Sequence, residues 1–197
     1  LGGAPGRPDA GITAMVVGAL QEVPEPRPKD IQAAIDGGVA WLLKLQGEDG
    51  SFSQGGRMKN YVTSAVLMTL AGSDAHAAPR ERGRAFLQTI QADEGEGYSE
   101  GDMYYGGIGY GSDERPDLSN LQMALDALVA TGSSANDPEI QRALKFLERC
   151  QNRSETNDIE IRRDGIIIKS GDDGGAGYAP GESKAGHVVL ADGTKVA

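Results

Sequence analysis

Three segments of this chain align with one another, and this internal repeat constrains the fold more than any other feature. The segments are residues 37–46, 82–91 and 142–151. Each has a small residue, an aromatic residue three positions later, a leucine beside it, and a glutamine four residues after that leucine. Such self-similarity indicates a repeat protein, in which each unit buries its apolar face against its neighbours.

Each motif glutamine is followed by a glycine-rich turn that carries an aromatic residue. The sequence places these turns at Gly50–Phe52, Gly97–Tyr98 and Gly177–Tyr178. A glutamine amide both donates and accepts hydrogen bonds, so we expect these side chains to join helix ends to turns rather than to catalyse. The motif residues are Trp41, Gln46, Phe52, Phe86, Gln91, Phe146 and Gln151.

Two kinds of helix alternate along the chain. Before each motif glutamine, apolar residues recur on one helical stripe, as at Ile31, Ile35, Val39 and Leu42, which predicts amphipathic outer helices. Segments 9–20, 60–71 and 117–130 align with each other and predict apolar inner helices. The sequence therefore predicts an all-α protein of repeated helix pairs.

The region after the third glutamine has a different composition. β-prone residues surround Asp164–Gly165 and Asp192–Gly193, which predicts short β-hairpins, with disorder as the alternative. We expect one domain, 1–197, with the repeat helix pairs in 8–151 and a Gly-rich insertion or tail in 152–197.

Composition limits the partners of the chain. It has 19 Lys and Arg against 29 Asp and Glu, a formal net charge of -10, which argues against nucleic acid as a partner. No apolar run approaches the roughly 20 residues that span a bilayer, so we expect no transmembrane segment. The single cysteine fixes neither an extracellular nor an intracellular location.

The repeat resembles the QW motif of the squalene and oxidosqualene cyclases. Residues 82–91 and 142–151 match the first part of that motif, and Gln46–Phe52 matches its second part. The repeat is also similar to that of protein prenyltransferase β-subunits. Stretches 93–95, 106–111 and 115–120 resemble bacterial proteins with prenyltransferase and squalene-oxidase repeats. The resemblance covers about residues 8–151.

This resemblance implies an α/α-toroid, a ring of about six helix pairs around a central cavity, of which this chain holds about three. The chain would then be a fragment, or a half ring completed by its missing half or by a homo-oligomer. The implied function is that of a terpenoid-cyclase- or prenyltransferase-like domain that acts on or binds isoprenoid or lipid substrates. The alternatives are a non-catalytic toroid that binds a lipid or protein partner, and carbohydrate chemistry.

The sequence leaves open whether the chain is an enzyme. It lacks the Asp-x-Asp-Asp motif of the cyclases, and Cys150 does not match the Asp, Cys and His zinc ligands of the prenyltransferases, so we expect neither metal nor cofactor. Asp9 and Asp117 begin inner helices and Asp126 lies inside one. These three are the catalytic candidates, with helix capping and ion pairing as the alternatives.

Three tyrosines in a glycine-rich loop are the candidates for ligand binding. Tyr104, Tyr105 and Tyr110 could present their ring faces to a polyene or a cation. Packing of the loop against the helices is the alternative role.

Overall fold

The fold mixes helices with a sheet. The computed structural model describes residues 8–111 and 115–196, and within them it has six α-helices and a four-stranded mixed sheet, with 45% of residues helical. The all-α prediction is therefore wrong, and with it the α/α-toroid. The protein is a small α+β protein. The expected domain also covers residues 1–7, 112–114 and 197, which lie outside the described residues.

The helices occur where the repeat predicts them and in the predicted alternation. Short 3₁₀ turns at Asp74–His76 and Glu94–Glu96 precede and follow the fourth helix. The helices are α1 (Ala10–Gln21), α2 (Lys29–Leu43), α3 (Lys59–Leu70), α4 (Ala77–Thr89), α5 (Leu118–Ala130) and α6 (Pro138–Cys150).

The sheet is the feature that overturns the all-α prediction. Its strands are β1 (Ile161–Arg163), β2 (Ile166–Lys169), β3 (Val188–Val189) and β4 (Lys195–Val196), in the order β1-β2-β4-β3. Two antiparallel hairpins, β1–β2 and β3–β4, are joined by the parallel pair β2–β4. Because the two hairpins pair with each other, they form one sheet rather than separate insertions on a helical scaffold.

A glycine lets the chain pass close to this sheet. Ile161 and Ile168, which face each other across β1 and β2, are both buried. Gly181 has φ +66°, and a Cβ at this position would lie 2.6 Å from Cγ2 of Ile161. The segment around Gly181 therefore covers the apolar face of the sheet only because it has no side chain there.

The chain divides into two compact units. The first unit comprises the described residues up to Thr89 together with Met123–Ser133, and the second comprises Ile90–Gln122 together with the described residues from Ser134 onward. Helix α5 contributes its first turn to the second unit and the remainder to the first.

In the first unit, helix α3 is the most buried element. It packs against α1 and α4, and nine of its twelve residues are buried. Thr69 of α3 donates a hydrogen bond from Oγ1 to the carbonyl oxygen of Ala14 in α1, at 3.0 Å. The core of this unit also contains Leu42 of α2 and Phe52 of the following turn.

In the second unit, a buried arginine ties α6 to two loops. The side chain of Arg149 is fully buried, and its Nε and Nη2 atoms donate to the carboxylate of Asp158 at 2.7 and 2.8 Å. Its remaining donors reach the carbonyl oxygens of Glu100 and Asp102, at 2.6 and 2.8 Å. A buried guanidinium is tolerated because its charge and its donors have partners.

Candidate functional site

The first motif glutamine joins the end of one outer helix to the start of the next. Gln46 follows α2, and its Nε2 atom donates to the carbonyl oxygens of Gly50 at 3.0 Å and of Pro79, in the first turn of α4, at 2.8 Å. Arg82, three residues after Pro79, donates back to Oε1 of Gln46. Gly50 has φ +83°, and a Cβ there would lie 2.4 Å from the carbonyl oxygen of Arg82. We call this arrangement a glutamine joint.

The second glutamine joint repeats the first in each of these contacts. The Nε2 atom of Gln91 donates to the carbonyl oxygens of Gly106 at 3.0 Å and of Glu139, in the first turn of α6, at 2.9 Å. Arg142, again three residues later, donates from Nε to Oε1 of Gln91 at 3.0 Å. A Cβ on Gly106, whose φ is +82°, would lie 1.8 Å from the carbonyl oxygen of Arg142. Both joints are therefore closed by a helix.

The third joint has the same backbone without the helix. Gln151 forms a bridge with Ala176, as Gln46 does with Phe52, and Gly174 has φ +77°. Across residues 8–111 and 115–196, the side-chain amide of Gln151 has no hydrogen-bond partner, and a Cβ on Gly174 would meet nothing within 4 Å beyond its own neighbours. Residues 174–176 are exposed, so the third joint is open.

The structure changes the register of the turns that the sequence analysis assigned. The residues that pair with the glutamines are Phe52, Ile108 and Ala176, and not Tyr98 or Tyr178 in the second and third copies. Sequence reasoning missed Ile108 because residues 93–105 form an excursion inside the turn. The signal that could have found the register is the left-handed glycine two positions before each bridge partner.

A small cavity lies beside the open joint. Its volume is about 220 Å³, and its lining includes Gln151, Cys150, Ile168 and Gly177. Pockets for drug-sized ligands measure about 300–1,000 Å³, so this cavity is the right size for a single side chain of a partner rather than for a substrate.

The candidate catalytic aspartates are separated and largely used as helix caps. Asp9 accepts from the backbone N–H of Ile12 at 3.0 Å, and so caps α1. Asp117 is 4% exposed and accepts from the backbone and the side chain of Asn120 at 2.9 and 2.8 Å. Asp126 is exposed on α5. Asp9 and Asp126 belong to the first unit, and Asp117 belongs to the second.

Eight of the described carboxyl groups have electrostatics that do not suit proton donation. A carboxylic acid that protonates a substrate near neutral pH needs a raised pKa. The described carboxyl groups whose pKa departs from its ordinary value all have it lowered, because they accept hydrogen bonds or lie near cations. They are Asp49, Glu94, Asp102, Asp158, Asp172, Asp173, Glu182 and Asp192.

The three candidate tyrosines do not form an open aromatic platform. Tyr105 is buried and donates from its hydroxyl to Oε1 of Glu94 at 3.0 Å, and burial raises the pKa of Tyr105. The hydroxyl of Tyr104 accepts from Arg163 at 3.3 Å. Tyr110 is half-buried and also has a partner.

One carboxylate in the second unit gathers three cations. Glu182 lies 2.8 Å from Arg115, 3.4 Å from Arg163 and 3.1 Å from Lys184. Lys184 also lies over the ring of Tyr178, 4.4 Å from its centroid. The carboxylate of Glu182 therefore neutralises part of the positive charge of these three cations.

The cysteine and the histidines do not form a metal site. Cys150 is buried, and burial raises the pKa of its thiol to about 12. His76 lies in a 3₁₀ turn of the first unit, and Nε2 of His187 lies 3.1 Å from the carbonyl oxygen of Gly181 in the second. Among the described residues, no three metal-binding side chains lie close enough to hold an ion.

Helix α1 carries an exposed apolar stripe. Ile12, Met15 and Val16 are 45%, 61% and 52% exposed, and Ala19 is exposed beside them. This spacing of i, i+3, i+4 and i+7 places all four side chains on one face of the helix. We refer to these four residues as the α1 stripe.

The same positions are buried in the other inner helices. In the alignment of the repeat, the α1 stripe corresponds to Val62, Ala65, Val66 and Thr69 of α3, which are all buried. In α5, Ala124 and Ala127 occupy two of these positions and are also buried, and Met123 packs partly buried against the core cluster of the first unit. The α1 stripe is therefore the one uncovered copy of a repeated helix-packing surface among the described helices.

No described helix is both long and apolar enough to cross a membrane. Comparison with known proteins gave no matching family model and no matching curated protein.

Proposed function

We propose that this chain is a helical-repeat binding protein without catalytic activity of its own, and that the α1 stripe binds an apolar helix of a partner protein. One observation carries the proposal, the exposure of Met15 and Val16 at positions that are buried in α3. Clustered exposed apolar side chains mark interaction sites more often than scattered ones. The capping of Asp9 and Asp117 supports a role in binding rather than in catalysis.

The packing of α1 on α3 indicates what kind of helix would cover the α1 stripe. In that pair, the carbonyl oxygen of Ala14 accepts from Thr69 of α3, and a Cβ on Gly18 would lie 3.8 Å from Oγ1 of Thr69. Small side chains four residues apart let two helices approach closely. The partner helix is therefore one with alanine or glycine at this spacing.

Charge favours a partner with basic ends over a second copy of the chain. Asp9 and Glu22 flank the α1 stripe at its two ends, and the whole chain has a formal net charge of -10. An antiparallel pair of α1 helices would place these acids beside each other, which like-charge repulsion opposes. Lysine or arginine at the ends of the partner helix would complement them.

The proposal is tested with a peptide that copies residues 8–23, lengthened by two lysines at each end and labelled for fluorescence anisotropy. We expect saturable binding to the intact chain, weakened at least about tenfold by Val16→Asp, which places a charge in an apolar contact. The matched control is Leu144→Asp, because Leu144 is also exposed, at 41%, but lies on α6.

Equal binding by wild type and Val16→Asp would overturn the proposal, as would equal weakening by the control. Light scattering provides the remaining outcome. A dimer of the chain that Val16→Asp dissociates would assign the α1 stripe to a second copy instead of a partner protein.

An isoprenoid or lipid tail is the second candidate ligand, favoured by a cleft between α1 and α3. The cleft measures about 360 Å³ and is lined in part by Met15, Gly18, Ala65 and Met68. A fluorescent prenol should bind there, and Gly18→Leu should fill the cleft and abolish that binding. Prenol binding that survives Gly18→Leu would exclude the cleft.

A further inference from the structure

The open third joint lies in the second unit, whereas the α1 stripe lies in the first. We propose that Gln151 and the turn at 174–176 bind the first turn of a partner helix, one that carries an arginine three residues after a backbone carbonyl of that turn. The two closed joints supply the template, since in each the glutamine forms two hydrogen bonds to a helix start and a third to the turn glycine.

The backbone of the open joint is already in the binding conformation. Asn152 donates its N–H to the carbonyl of Gly175 at 2.7 Å, as Ala92 does to Gly107 at 2.9 Å in the second joint. Gly174 keeps a left-handed conformation at φ +77°, although no described atom beyond its neighbours lies within 4 Å of its Cβ position. In the closed joints the left-handed glycine is required because a helix carbonyl lies against it. The turn at Gly174 therefore has the backbone geometry that accommodates a helix carbonyl in the closed joints.

The partner's arginine is specified by the acceptor that remains free. The Oε1 atom of Gln151 corresponds to the oxygen of Gln91 that accepts from Arg142. A hydrogen bond from a charged donor to an amide oxygen is stronger than one from a neutral donor. The site should therefore prefer a helix with arginine at this position. The cavity of about 220 Å³ beside Gln151 has room for its side chain.

The helices of the chain itself do not fit the open joint of a second copy. The first turns of α4 and α6 are already bound by Gln46 and Gln91. In α2 the position equivalent to Arg82 is Gly37, and the carbonyl that would be bound, that of Ala34, lies well inside a helix that starts at Lys29. None of the described helices therefore fits the joint, whereas a partner helix with an arginine three residues after a first-turn carbonyl does.

The test uses a copy of the helix that closes the second joint. The probe is a peptide of residues 134–150 with Cys150→Ser, stabilised by a lactam between Glu148 and a lysine from Leu144→Lys, since both positions are exposed in α6. The ¹⁵N-labelled chain is titrated with this peptide, and the signal of the Gln151 side-chain amide is assigned by its loss in Gln151→Ala.

We expect saturable shifts of the Gln151 side-chain amide and the Gly174 backbone amide. The peptide with Arg142→Gln should bind about tenfold more weakly, as should the chain with Gln151→Ala, which corresponds to about 1.4 kcal/mol for one charged hydrogen bond. The matched control, Gln88→Ala on α4, should leave the titration unchanged.

Two results would overturn the proposal. One is that neither signal moves at a peptide concentration of about 1 mM, a concentration that detects a binding free energy as weak as about 4 kcal/mol. The other is that the signals move equally with the Arg142→Gln peptide, which would mean a contact that does not use the joint. Loss of binding to the α1 stripe would affect neither signal, so the two proposals fail separately.

Discussion

The joints at Gln91 and Gln151 lie in the same unit and have the same backbone, but their surroundings differ. Gln91 is 1% exposed, and both polar atoms of its side chain are hydrogen-bonded to a helix or to the turn. Around Gln151 the equivalent turn is exposed. A repeated motif therefore keeps its local shape without the contacts for which that shape is needed. Local backbone hydrogen bonds hold the turn, and the helix adds burial to it.

Helices α3 and α1 show the same difference in the other unit. Val66 is fully buried, whereas Val16, its equivalent in α1, is 52% exposed. Each unit thus contains a covered and an uncovered copy of a repeated feature, a helix face in the first unit and a glutamine joint in the second. Substitutions at equivalent positions should therefore differ in cost. Three experiments measure that difference, and a fourth tests a pH dependence near the open joint.

The largest effect is expected for a charge placed in the two equivalent valines. Val66→Asp buries an unpaired carboxylate and should cost about 4 kcal/mol of the free energy of unfolding, enough to unfold the first unit. Val16→Asp should change that free energy by at most about 0.5 kcal/mol. Urea denaturation followed by circular dichroism measures both. Equal costs would mean that Val16 of α1 and Val66 of α3 are equally buried in solution.

The next effect comes from the left-handed glycines. Gly106→Ala places a Cβ where the carbonyl oxygen of Arg142 lies 1.8 Å away, so it should cost about 3 kcal/mol. Gly174→Ala meets nothing and should cost only the conformational strain, about 1 kcal/mol. Thermal denaturation of the two variants provides the comparison. A Gly174 variant as unstable as the Gly106 variant would show that the third joint is closed.

A smaller effect is expected for the glutamines themselves. Gln91→Ala removes the hydrogen bonds to the carbonyls of Gly106 and Glu139 and the one from Arg142, which should cost about 2 kcal/mol. Gln151→Ala removes no hydrogen bond among the described residues, and its cost should stay within about 0.5 kcal/mol. Chemical denaturation distinguishes these values, and a large cost for Gln151→Ala would contradict the open joint.

The smallest effect is a pH dependence close to the open joint. The hydrogen bond from Arg149 lowers the pKa of Asp158 below its usual 3.8, although partial burial opposes this shift. A lowered folded-state pKa stabilises the fold at pH values above 3.8, and this contribution is lost as the pH falls through the folded-state value. Between pH 6 and about pH 3, wild type should therefore lose more stability than Asp158→Asn. Equal losses in urea midpoints would contradict this pairing.

The helices could be predicted from the sequence because their periodicity is local. The apolar stripe from Ile31 to Leu42 predicts a helix that is covered on one face. The apolar run of α3 predicts a helix that is covered on most faces. The glutamine motif also predicted which residues connect helices, although the partners Pro79 and Glu139 could not be identified. Those partners lie 33 and 48 residues away from the glutamines that bind them.

The sheet and the turn register could not be predicted in the same way. Each hairpin has a local signal at Asp164–Gly165 or Asp192–Gly193, but the parallel pairing of β2 with β4 joins segments more than 25 residues apart. Non-local pairing leaves no period in the sequence. The Arg149–Asp158 pair is local in sequence but could not be predicted either, because a charged residue on an amphipathic helix is normally expected to face solvent.

The burial of Cys150 has a practical consequence. Burial raises the pKa of its thiol to about 12, so the thiol is protonated at pH 7, and the sulfur is shielded from reagents. Alkylation by a thiol reagent therefore requires the second unit to open. Because the chain has a single cysteine, the rate of alkylation, read by mass spectrometry, would report local unfolding of that unit without any engineered label.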